Sequence, residues 1–283
     1  MITNHKYLNA LAQIEYLGDR LPGRNGDTVS YHAVEPITFV ETPLVTVRKT
    51  AWKMALREME WFMSGDARCP DELLPWWKEQ LDRWGQYHGG YSEQFRYSGA
   101  GEQNFDQVEY VLNGLKSNPN SRRLVLTTWN PGEMADIQEM NKNPKTPTCC
   151  HSSFVQFFVR NGDLHMTSYQ RSADMLLGVV HNWIQSWSLL LWFAHHAGLQ
   201  VGSLRWLLGD AHIYCEESHR NTLKALLALL PLPDVREENP FELVYRPPAD
   251  LPVSNDCPEF KADHFQMIGT IPDPSVLLRP KLL

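Results

Sequence analysis

Two adjacent cysteines followed by a histidine, Cys149, Cys150 and His151, are the side chains with the clearest capacity for chemistry in this sequence. They follow a polar segment and precede a run typical of a β-strand, where a side chain can be presented to a cleft. A cysteine acts as a nucleophile when a nearby cation lowers the pKa of its thiol. Cys150 is therefore the candidate nucleophile, Cys149 is its rival, and an inert buried thiol is the alternative for either.

Arginines occur in two places where strands are predicted to begin or end. Arg122 and Arg123 open one strand, and Gln170, Arg171 and Ser172 close another. Such arginines are usually solvated, but a guanidinium group also binds phosphate through two parallel hydrogen bonds. Because the chain carries a net charge of -7, a nucleotide-binding site would have to concentrate its arginines locally. These residues are therefore candidate anion ligands.

Two carboxylates flank the apolar stripe of a helix predicted over residues 50–64. Glu58 and Glu60 lie at comparable angles from the stripe, so the helical period does not choose between them. One of the two could shuttle protons from the edge of a buried face. The alternative is that both are solvated.

Three further polar residues lie near predicted element boundaries. Asn182 begins the most apolar helix, where it could cap the helix or read the edge of a base, since an amide both donates and accepts. His212 and Tyr214 lie where a strand is predicted to lead into a helix, and they share a face if that segment is extended. Taken alone, a histidine and a tyrosine in this position are more often structural than catalytic.

The elements that must position these side chains alternate between helical and strand-like patterns. Helices are predicted over 5–18, 50–64 with Thr50 as the cap, 105–116, 181–197 and 215–230. Strands are predicted over 29–40, 122–129, 153–159, 164–171, 202–208, 241–245 and 262–270, with a hairpin turn at 160–163. Residues 131–148 are polar, aperiodic and broken by prolines, which predicts an extended surface loop. Helices and antiparallel strands in mixed order predict a single α+β domain over 1–283.

Composition narrows the classes of function. A net charge of -7 argues against a broad surface for nucleic acid or acidic membranes. The most apolar stretch is interrupted by polar residues such as Gln185 and falls short of a membrane span, and the N-terminus has no signal-peptide core. Five cysteines, two adjacent and none in a CxxC pair, predict reduced thiols in a cytoplasm and no metal site.

The order of these signals along the chain resembles the thymidylate synthase family, which includes bacteriophage deoxypyrimidine nucleotide hydroxymethylases. The motifs that support the resemblance are Asn120-Ser121-Arg122-Arg123, Thr128-Trp129-Asn130-Pro131, Cys150-His151, Gln156-Phe157-Phe158-Val159, Tyr169-Gln170-Arg171-Ser172-Ala173-Asp174 and Gly209-Asp210-Ala211-His212-Ile213-Tyr214. The match runs from about residue 22 to the C-terminus. It implies a mixed, mostly antiparallel sheet covered by helices, and a homodimer formed through the sheet face.

The resemblance also implies which residues form the site. Those expected to act in catalysis are Cys150, Glu58, Tyr91 and His212. Those expected to hold the nucleotide are Arg24, Gln170, Arg171, Ser172, Asn182, His212 and Tyr214, with Arg122 and Arg123 reaching in from the partner of an obligate homodimer. Those expected to face the folate are Trp77, Asp174 and His181. The implied cosubstrate is 5,10-methylenetetrahydrofolate, without a metal.

Within this scheme, Cys150 would add to C6 of the pyrimidine and make C5 a carbon nucleophile. An arginine beside the thiol would lower its pKa, and fixed donors would stabilise the enolate that forms. Asn182 favours uracil, because its carbonyl can accept from N3–H while its amide donates to O4. An amide can also turn over to suit cytosine, so its own hydrogen-bond partners decide. Cytosine-specific members of the family usually have Asp here, so dUMP is the expected substrate.

Departures from the synthase pattern bear on the product and on the nucleophile. Val180-His181-Asn182 replaces the usual Pro-Phe-Asn, and a polar His181 beside the folate would admit or orient water. Water attack on the methylene intermediate would give 5-hydroxymethyl-dUMP, whereas hydride transfer would give dTMP and dihydrofolate. We expect the hydroxymethylated product, with the synthase reaction or the corresponding dCMP reactions as alternatives. One extra residue before Gln156 leaves Cys149 open as the nucleophile.

Two other classes of protein are consistent with parts of the sequence. A cysteine hydrolase would use Cys150 and His212 and would need no folate. A nucleotide- or RNA-binding module on the same fold would tolerate replacement of both Cys149 and Cys150. Neither class explains why so many motif residues recur in one order.

Overall fold

A large sheet and a separate two-stranded sheet form the framework of the chain in the computed structural model. The structure describes residues 3–23, 25–87, 89–97, 105–131, 149–230, 240–249, 257–278 and 280. The helices are α1 (Thr3–Leu17), α2 (Trp52–Ser64), α3 (Leu74–Trp77), α4 (Tyr91–Tyr97), α5 (Gln107–Ser117), α6 (Val179–Ala197) and α7 (Glu217–Leu227). The strands are β1 (Asp19–Leu21), β2 (Thr28–Tyr31), β3 (Ile37–Phe39), β4 (Val125–Leu126), β5 (Phe154–Arg160), β6 (Asp163–Asp174), β7 (Gln200–Tyr214), β8 (Phe241–Tyr245) and β9 (Phe265–Gly269).

The large sheet has the strand order β1-β2-β7-β6-β5-β4, and β3 pairs with a separate part of β7. Neighbouring strands run antiparallel except β6 and β7, which are parallel. β8 and β9 form the smaller antiparallel sheet. The mixed, mostly antiparallel sheet and its covering helices confirm the predicted α+β class.

Helix α6 lies at the centre of the core because its sequence is apolar on nearly every side. Trp183, Ile184, Leu190 and Phe193 are all fully buried. A helix of this kind must be enclosed by its neighbours, here the sheet and α2. It ends, as predicted, at Gly198, whose φ of 70° is a left-handed conformation that glycine adopts without strain.

The turn between β5 and β6 confirms the predicted hairpin. Asn161 and Gly162 have φ values of 54° and 89°, the two positive values that a two-residue type I′ turn requires. The turn pairs Arg160 with Asp163 and so sets the register of both strands. This register continues along β6 to the residues that line the candidate site.

Two of the predicted strands are interrupted or shortened. The strand predicted over 122–129 is limited to Val125–Leu126, because the side chain of Gln107 takes both backbone groups of Thr127. That side chain accepts from the Thr127 N–H at 2.9 Å and donates to the Thr127 carbonyl oxygen at 2.7 Å. The run predicted over 29–40 is two strands, β2 beginning at Thr28, since β2 and β3 pair with different parts of β7.

The two central strands are longer than predicted. β6 continues to Asp174, and β7 runs from Gln200 to Tyr214, because the two strands pair with each other as far as Asp174 and His212. β2 adds a second partner for the last residues of β7, from Ala211 to Tyr214. His212 and Tyr214 therefore lie in the last residues of β7, which ends at Tyr214 shortly before α7 begins at Glu217, so the predicted junction of strand and helix is confirmed.

Smaller differences concern caps and ends. Thr50 does not cap α2, because its hydroxyl donates to the Val45 carbonyl oxygen at 2.8 Å and Ala51 occupies the cap position. The strand predicted over 262–270 begins with a helical turn at Ala262–His264. Of the predicted surface loop 131–148, Pro131 is described and residues 132–148 lie outside the described ranges.

Candidate active site

A cleft of about 1110 Å³ opens where β6 and β7 end beside helices α2, α3 and α6. Its walls contain most of the side chains predicted to do chemistry. These are Glu58, Trp77, Tyr91, Cys150, Gln170, Arg171, Ser172, Asp174, His181, Asn182, His212 and Tyr214. Residues from distant parts of the sequence thus meet in one place.

Two predicted site residues do not line this cleft, and a third lies outside the described ranges. Arg122 and Arg123 are exposed just before β4 and do not line the cleft of their own chain. Arg24 lies outside the described residues, although its neighbours Gly23 and Asn25 line the cleft. A role for Arg122 and Arg123 at such a cleft therefore requires a second chain.

Cys150 is the cysteine that faces the cleft, whereas Cys149 is 2% exposed and belongs to the core. The Tyr91 hydroxyl oxygen accepts from the backbone N–H of Cys150 at 2.5 Å and of His151 at 3.3 Å. Burial raises the pKa of Tyr91 well above its ordinary value, so this hydroxyl stays protonated. The next residue, Ser152, has a left-handed φ of 53° that turns the chain toward β5. This geometry favours Cys150 over Cys149 as the reactive thiol.

Arg171 supplies a positive charge beside this thiol. Its Nη2 lies 3.5 Å from Cys150 Sγ, and its backbone N–H donates to the Cys150 carbonyl oxygen at 2.8 Å. The guanidinium carbon lies 5.2 Å from the ring centre of Trp129, a cation–π contact that orients the group. A cation at this distance stabilises the thiolate relative to the thiol. Ser172 follows on the same strand and also lines the cleft, so both residues are available to an anion.

Glu58 is the buried carboxyl of helix α2, whereas Glu60 is partly exposed. Trp77 Nε1 donates to one carboxyl oxygen of Glu58, and Gln185 Nε2 donates to the other at 2.6 Å. Burial raises the pKa of Glu58 to about 7, and the two hydrogen bonds oppose that shift. A group that titrates near neutral pH can both accept and donate a proton there.

Asn182 is held by an amide on each side. Gln170 Nε2 donates to Asn182 Oδ1 at 3.1 Å, and Asn182 Nδ2 donates to Gln185 Oε1 at 3.1 Å. Asn182 does not cap its helix, because α6 begins at Val179. Sequence analysis missed the part played by Gln185. The signal that could have found it is a polar residue one turn after Asn182 in an otherwise apolar helix.

His212 and Tyr214 share a face of β7, as predicted for an extended segment. Their ring centres lie 5.4 Å apart with the planes nearly perpendicular. Asp210 Oδ2 lies 3.6 Å from His212 Nδ1, and the Ser30 hydroxyl donates to the other oxygen of Asp210. An imidazole and a phenol placed together can hold a hydroxyl group of a ligand.

His181 is a neutral ring with both nitrogens hydrogen-bonded. Its Nδ1 donates to the Leu177 carbonyl oxygen at 2.9 Å, and its Nε2 accepts from the Ala51 N–H at 3.3 Å. Burial lowers the pKa of His181 to about 4, and the ring packs against Trp76 with centres 5.0 Å apart. The structure therefore does not support the expectation that His181 orients water, because backbone groups occupy both nitrogens.

Trp77 and Asp174 line the cleft but are largely engaged with the protein. Trp77 is 9% exposed, and its indole N–H donates to Glu58. Asp174 Oδ1 accepts from the backbone N–H groups of Leu176 and Leu177 at 2.9 and 3.0 Å, which fixes the turn that leads into α6. Asp174 therefore lines the cleft with one carboxyl oxygen already engaged by the backbone.

Two residues that sequence analysis did not single out, Trp76 and Arg48, line the same wall. Arg48 is buried, and its guanidinium donates to the Leu176 carbonyl oxygen. The basic pair Arg48-Lys49 is the signal that could have identified this position. The flat rings of Trp76 and His181 beside a cation suit a planar ligand with an anionic tail.

The cleft brings together a thiol, carboxyl groups, amides and guanidinium groups, a set suited to covalent addition to an electron-poor ring. In the described residues, no group of three or more His, Cys, Asp or Glu is placed to hold a metal ion. Within those same ranges, no helix is long and apolar enough to cross a bilayer. None of the five cysteines, all of which are described, forms a disulfide. The cytoplasmic location stays a prediction.

Comparisons with known proteins place this arrangement in context. The sequence model of the thymidylate synthase family matches residues 5–268. A curated thymidylate synthase of Corynebacterium aurimucosum is 34% identical over 238 residues, which covers 83% of this chain and 80% of the relative. A curated thymidylate synthase of Zymomonas mobilis is 28% identical over an alignment of 311 residues, which covers 97% of this chain and 98% of the relative.

Proposed function

The chain belongs to the thymidylate synthase family, and on that premise we propose that it converts dUMP to dTMP. The family consists of one-carbon transferases whose cosubstrate is 5,10-methylenetetrahydrofolate, so the enzyme class and cosubstrate expected from the sequence are confirmed. In the proposed reaction the methylene carbon joins C5 of uracil and is reduced by hydride from the folate, leaving dihydrofolate. The names of both relatives support methyl transfer more than the hydroxymethyl transfer expected from the sequence.

The observation that supports this proposal most directly is the Cys150 thiol, which faces the cleft 3.5 Å from the Arg171 guanidinium. Cys150 adds as a thiolate to C6 of the pyrimidine, and the electron pair moves toward C5 and the carbonyl at C4. C5 then bonds to the methylene carbon, and loss of the C5 proton breaks the bond from that carbon to the folate nitrogen. Hydride transfer to the resulting exocyclic methylene expels Cys150 and gives dTMP.

The other cleft residues receive supporting roles in this proposal. Glu58 organises water and moves protons, since a pKa of about 7 allows both directions at neutral pH. Tyr91 holds the backbone of Cys150 in place. Asn182 reads the edge of the base, and the pair His212 and Tyr214 binds the sugar hydroxyl.

The phosphate is bound in this proposal by Arg171 and Ser172, with Gln170 beside them. Arg24 stays a prediction for the same role. Family members are generally dimeric, and we propose that Arg122 and Arg123 reach the phosphate in the cleft of a partner chain.

The proposed dimer interface is the uncovered face of the sheet. Phe154 and Tyr169 lie opposite each other on β5 and β6 and are 46% and 38% exposed. Exposed aromatic side chains on a sheet face are typical of a surface that another protein covers. Sedimentation of the purified protein tests this, because a monomer at assay concentrations would remove the proposed role of Arg122 and Arg123.

A second product, 5-hydroxymethyl-dUMP, is favoured by one observation. His181 lines the cleft with an imidazole where synthases of the family usually have phenylalanine. Water would then replace hydride in the attack on the exocyclic methylene. The hydrogen bonds of His181 to Leu177 and Ala51 count against this product, because they leave the ring to act as an aromatic wall.

The experiment that tests the proposal is incubation of the purified protein with dUMP and 5,10-methylenetetrahydrofolate. We expect dTMP by mass spectrometry and one equivalent of dihydrofolate by its absorbance. A hydroxymethylated product without dihydrofolate would instead establish the second candidate. Binding of dUMP with neither product nor exchange of the C5 hydrogen would show a nucleotide-binding module. A parallel reaction with dCMP tests the choice of base.

A further inference from the structure

Gln185 is a buried amide that connects the proposed base-reading residue to the proposed proton-transfer residue. It is 0% exposed and lies on α6, one turn after Asn182. Its Oε1 accepts from Asn182 Nδ2 at 3.1 Å, and its Nε2 donates to Glu58 Oε2 at 2.6 Å. Burial of an amide in an apolar helix is unfavourable unless its own N–H and carbonyl groups form hydrogen bonds. The burial of Gln185 is therefore explained by its hydrogen bonds to Asn182 and Glu58.

Backbone carbonyls fix the direction of the hydrogen bonds at both ends of this chain of amides. Gln185 Nε2 also donates to the Ala55 carbonyl oxygen at 3.2 Å, and a carbonyl oxygen can only accept. Gln170 Nε2 likewise donates to the Ser172 carbonyl oxygen at 3.1 Å. Gln185 must therefore turn its oxygen toward Asn182, and Gln170 must turn its nitrogen toward Asn182.

One orientation of the Asn182 amide is complementary to the two groups that face it. Its oxygen faces Gln170, and its nitrogen faces Gln185. If the amide turned over, its oxygen would meet the Gln185 oxygen and its NH₂ group would meet the Gln170 NH₂ group. Those contacts would leave donors and acceptors unsatisfied in a buried site, which is strongly unfavourable. Asn182 is thus held in one orientation before a ligand arrives.

We propose that Gln185, acting through Asn182, makes this enzyme select uracil over cytosine. The inference rests on the proposed function and adds a residue that determines specificity. Uracil presents N3–H as a donor and O4 as an acceptor, whereas cytosine presents N3 as an acceptor and its amino group as a donor. An amide that reads one edge must turn over to read the other, and the Gln185 oxygen opposes that turn. Gln185 is a positioning residue, since it is buried behind Asn182.

The test compares kcat/KM for dUMP and for dCMP in the wild-type protein and in Gln185→Met. Methionine has a similar length but does not donate a hydrogen bond and accepts one only weakly. We expect the ratio of kcat/KM for dUMP to kcat/KM for dCMP to fall about 10-fold to 100-fold, because a buried hydrogen bond is no longer formed. Ser188→Ala is the matched control: Ser188 is also fully buried on α6, and its hydroxyl donates to the Gln185 backbone oxygen. The control should leave the ratio unchanged.

A conservative variant separates orientation from packing. In Gln185→Glu a carboxyl oxygen still accepts from Asn182 Nδ2, so the ratio should stay within about threefold of wild type. Turnover should nevertheless slow, because the second carboxyl lies beside Glu58. A loss of discrimination in Gln185→Glu equal to that in Gln185→Met would indicate packing and overturn the inference.

The outcomes for the inference and for the proposed function are distinct. An unchanged ratio in folded Gln185→Met, or a wild-type preference for dCMP, overturns the role of Gln185 while dUMP turnover stands. If Gln185→Met does not fold, Gln185→Ala replaces it, since water can occupy the space. Absence of any wild-type turnover of dUMP overturns the proposed function instead, and calorimetric binding of dUMP and dCMP then provides the ratio.

Discussion

The two sides of helix α2 carry the same residue type in opposite surroundings. Glu58 faces the cleft, where its partners are the uncharged indole of Trp77 and the amide of Gln185. Glu60 faces away from it and contacts Arg57 at 3.1 Å and Lys261 at 3.5 Å. Burial raises the pKa of Glu58 to about 7, while Glu60 is partly exposed among cations. Neighbours from other elements, and not helical position, decide which carboxyl is suited to proton transfer.

The adjacent cysteines repeat this comparison one residue apart. Cys150 faces the cleft beside Arg171, and Cys149 is enclosed in the core. In each pair, substitution of the residue at the cleft should lower turnover. Substitution of the other residue should change only the free energy of unfolding.

The largest expected effect is that of Cys150→Ser. A hydroxyl is a far weaker nucleophile than a thiolate, so turnover and exchange of the C5 hydrogen should fall by more than about 10⁴-fold while dUMP still binds. Release of tritium from C5 of labelled dUMP measures the exchange. The matched variant Cys149→Ser should keep the exchange and lose about 1–3 kcal/mol of stability, because it buries a hydroxyl. Loss of exchange in Cys149→Ser alone would reverse the comparison.

The next effect is that of Glu58→Gln on kcat. Removal of the group that moves protons should lower kcat about 10²-fold to 10⁴-fold, with a smaller change in the binding of dUMP. Steady-state kinetics with both substrates measure the two quantities. Glu60→Gln is the control, and it should change kcat by less than about threefold, because partly exposed ion pairs contribute little. Equal losses in the two variants would remove the distinction between the sides of α2.

The same pair of variants gives a pH dependence of stability. Folding raises the pKa of Glu58 from its ordinary 4.5 to about 7, so the folded protein binds that proton more tightly than the unfolded chain does. The resulting stabilisation, about 3 kcal/mol, is fully present below pH 4.5 and is lost as the pH rises to 7. Urea unfolding across this window should show the decline in wild type and Glu60→Gln but not in Glu58→Gln. A decline of the same size in Glu58→Gln would assign it to other groups.

The smallest expected effect on turnover is that of His181→Phe. Because backbone groups bind both ring nitrogens, the substitution should leave dTMP formation within about threefold of wild type. It should cost about 1–3 kcal/mol of stability, since Leu177 and Ala51 lose their partner. Product mass and thermal unfolding measure the two effects. A wild-type hydroxymethyl product that becomes methyl in His181→Phe would show that the imidazole does direct water.

The parts of the fold that sequence analysis predicted correctly depend on residues close together in the chain. Asn161 and Gly162 form the hairpin turn through their own backbone preferences. Gly198 ends α6 in the same way. The length of β7 was not predictable, because it depends on pairing with β2, which lies far away in sequence.

The candidate site, like the fold, could be predicted from the sequence only in part. The resemblance to a family supplied the residues that line the cleft, and residue periodicity alone did not. Neither the motifs nor the periodicity revealed that Gln185 connects Asn182 to Glu58, since that contact joins two helices. The engagement of both His181 nitrogens was equally hidden, because Ala51 approaches from a different part of the chain.

Strands β6 and β7 have one further consequence for ligand choice. They run side by side, with Ser172 opposite Asp210 and Asp174 opposite His212. The residues proposed to bind the phosphate and the sugar therefore lie on two strands that are hydrogen-bonded to each other, and the spacing of residues along such a pair is fixed. The paired strands therefore fix the distance between the residues proposed to bind the phosphate and the sugar. That fixed distance selects the length of the sugar–phosphate unit. Substitutions in the helices across the cleft can change which base is bound without changing that distance.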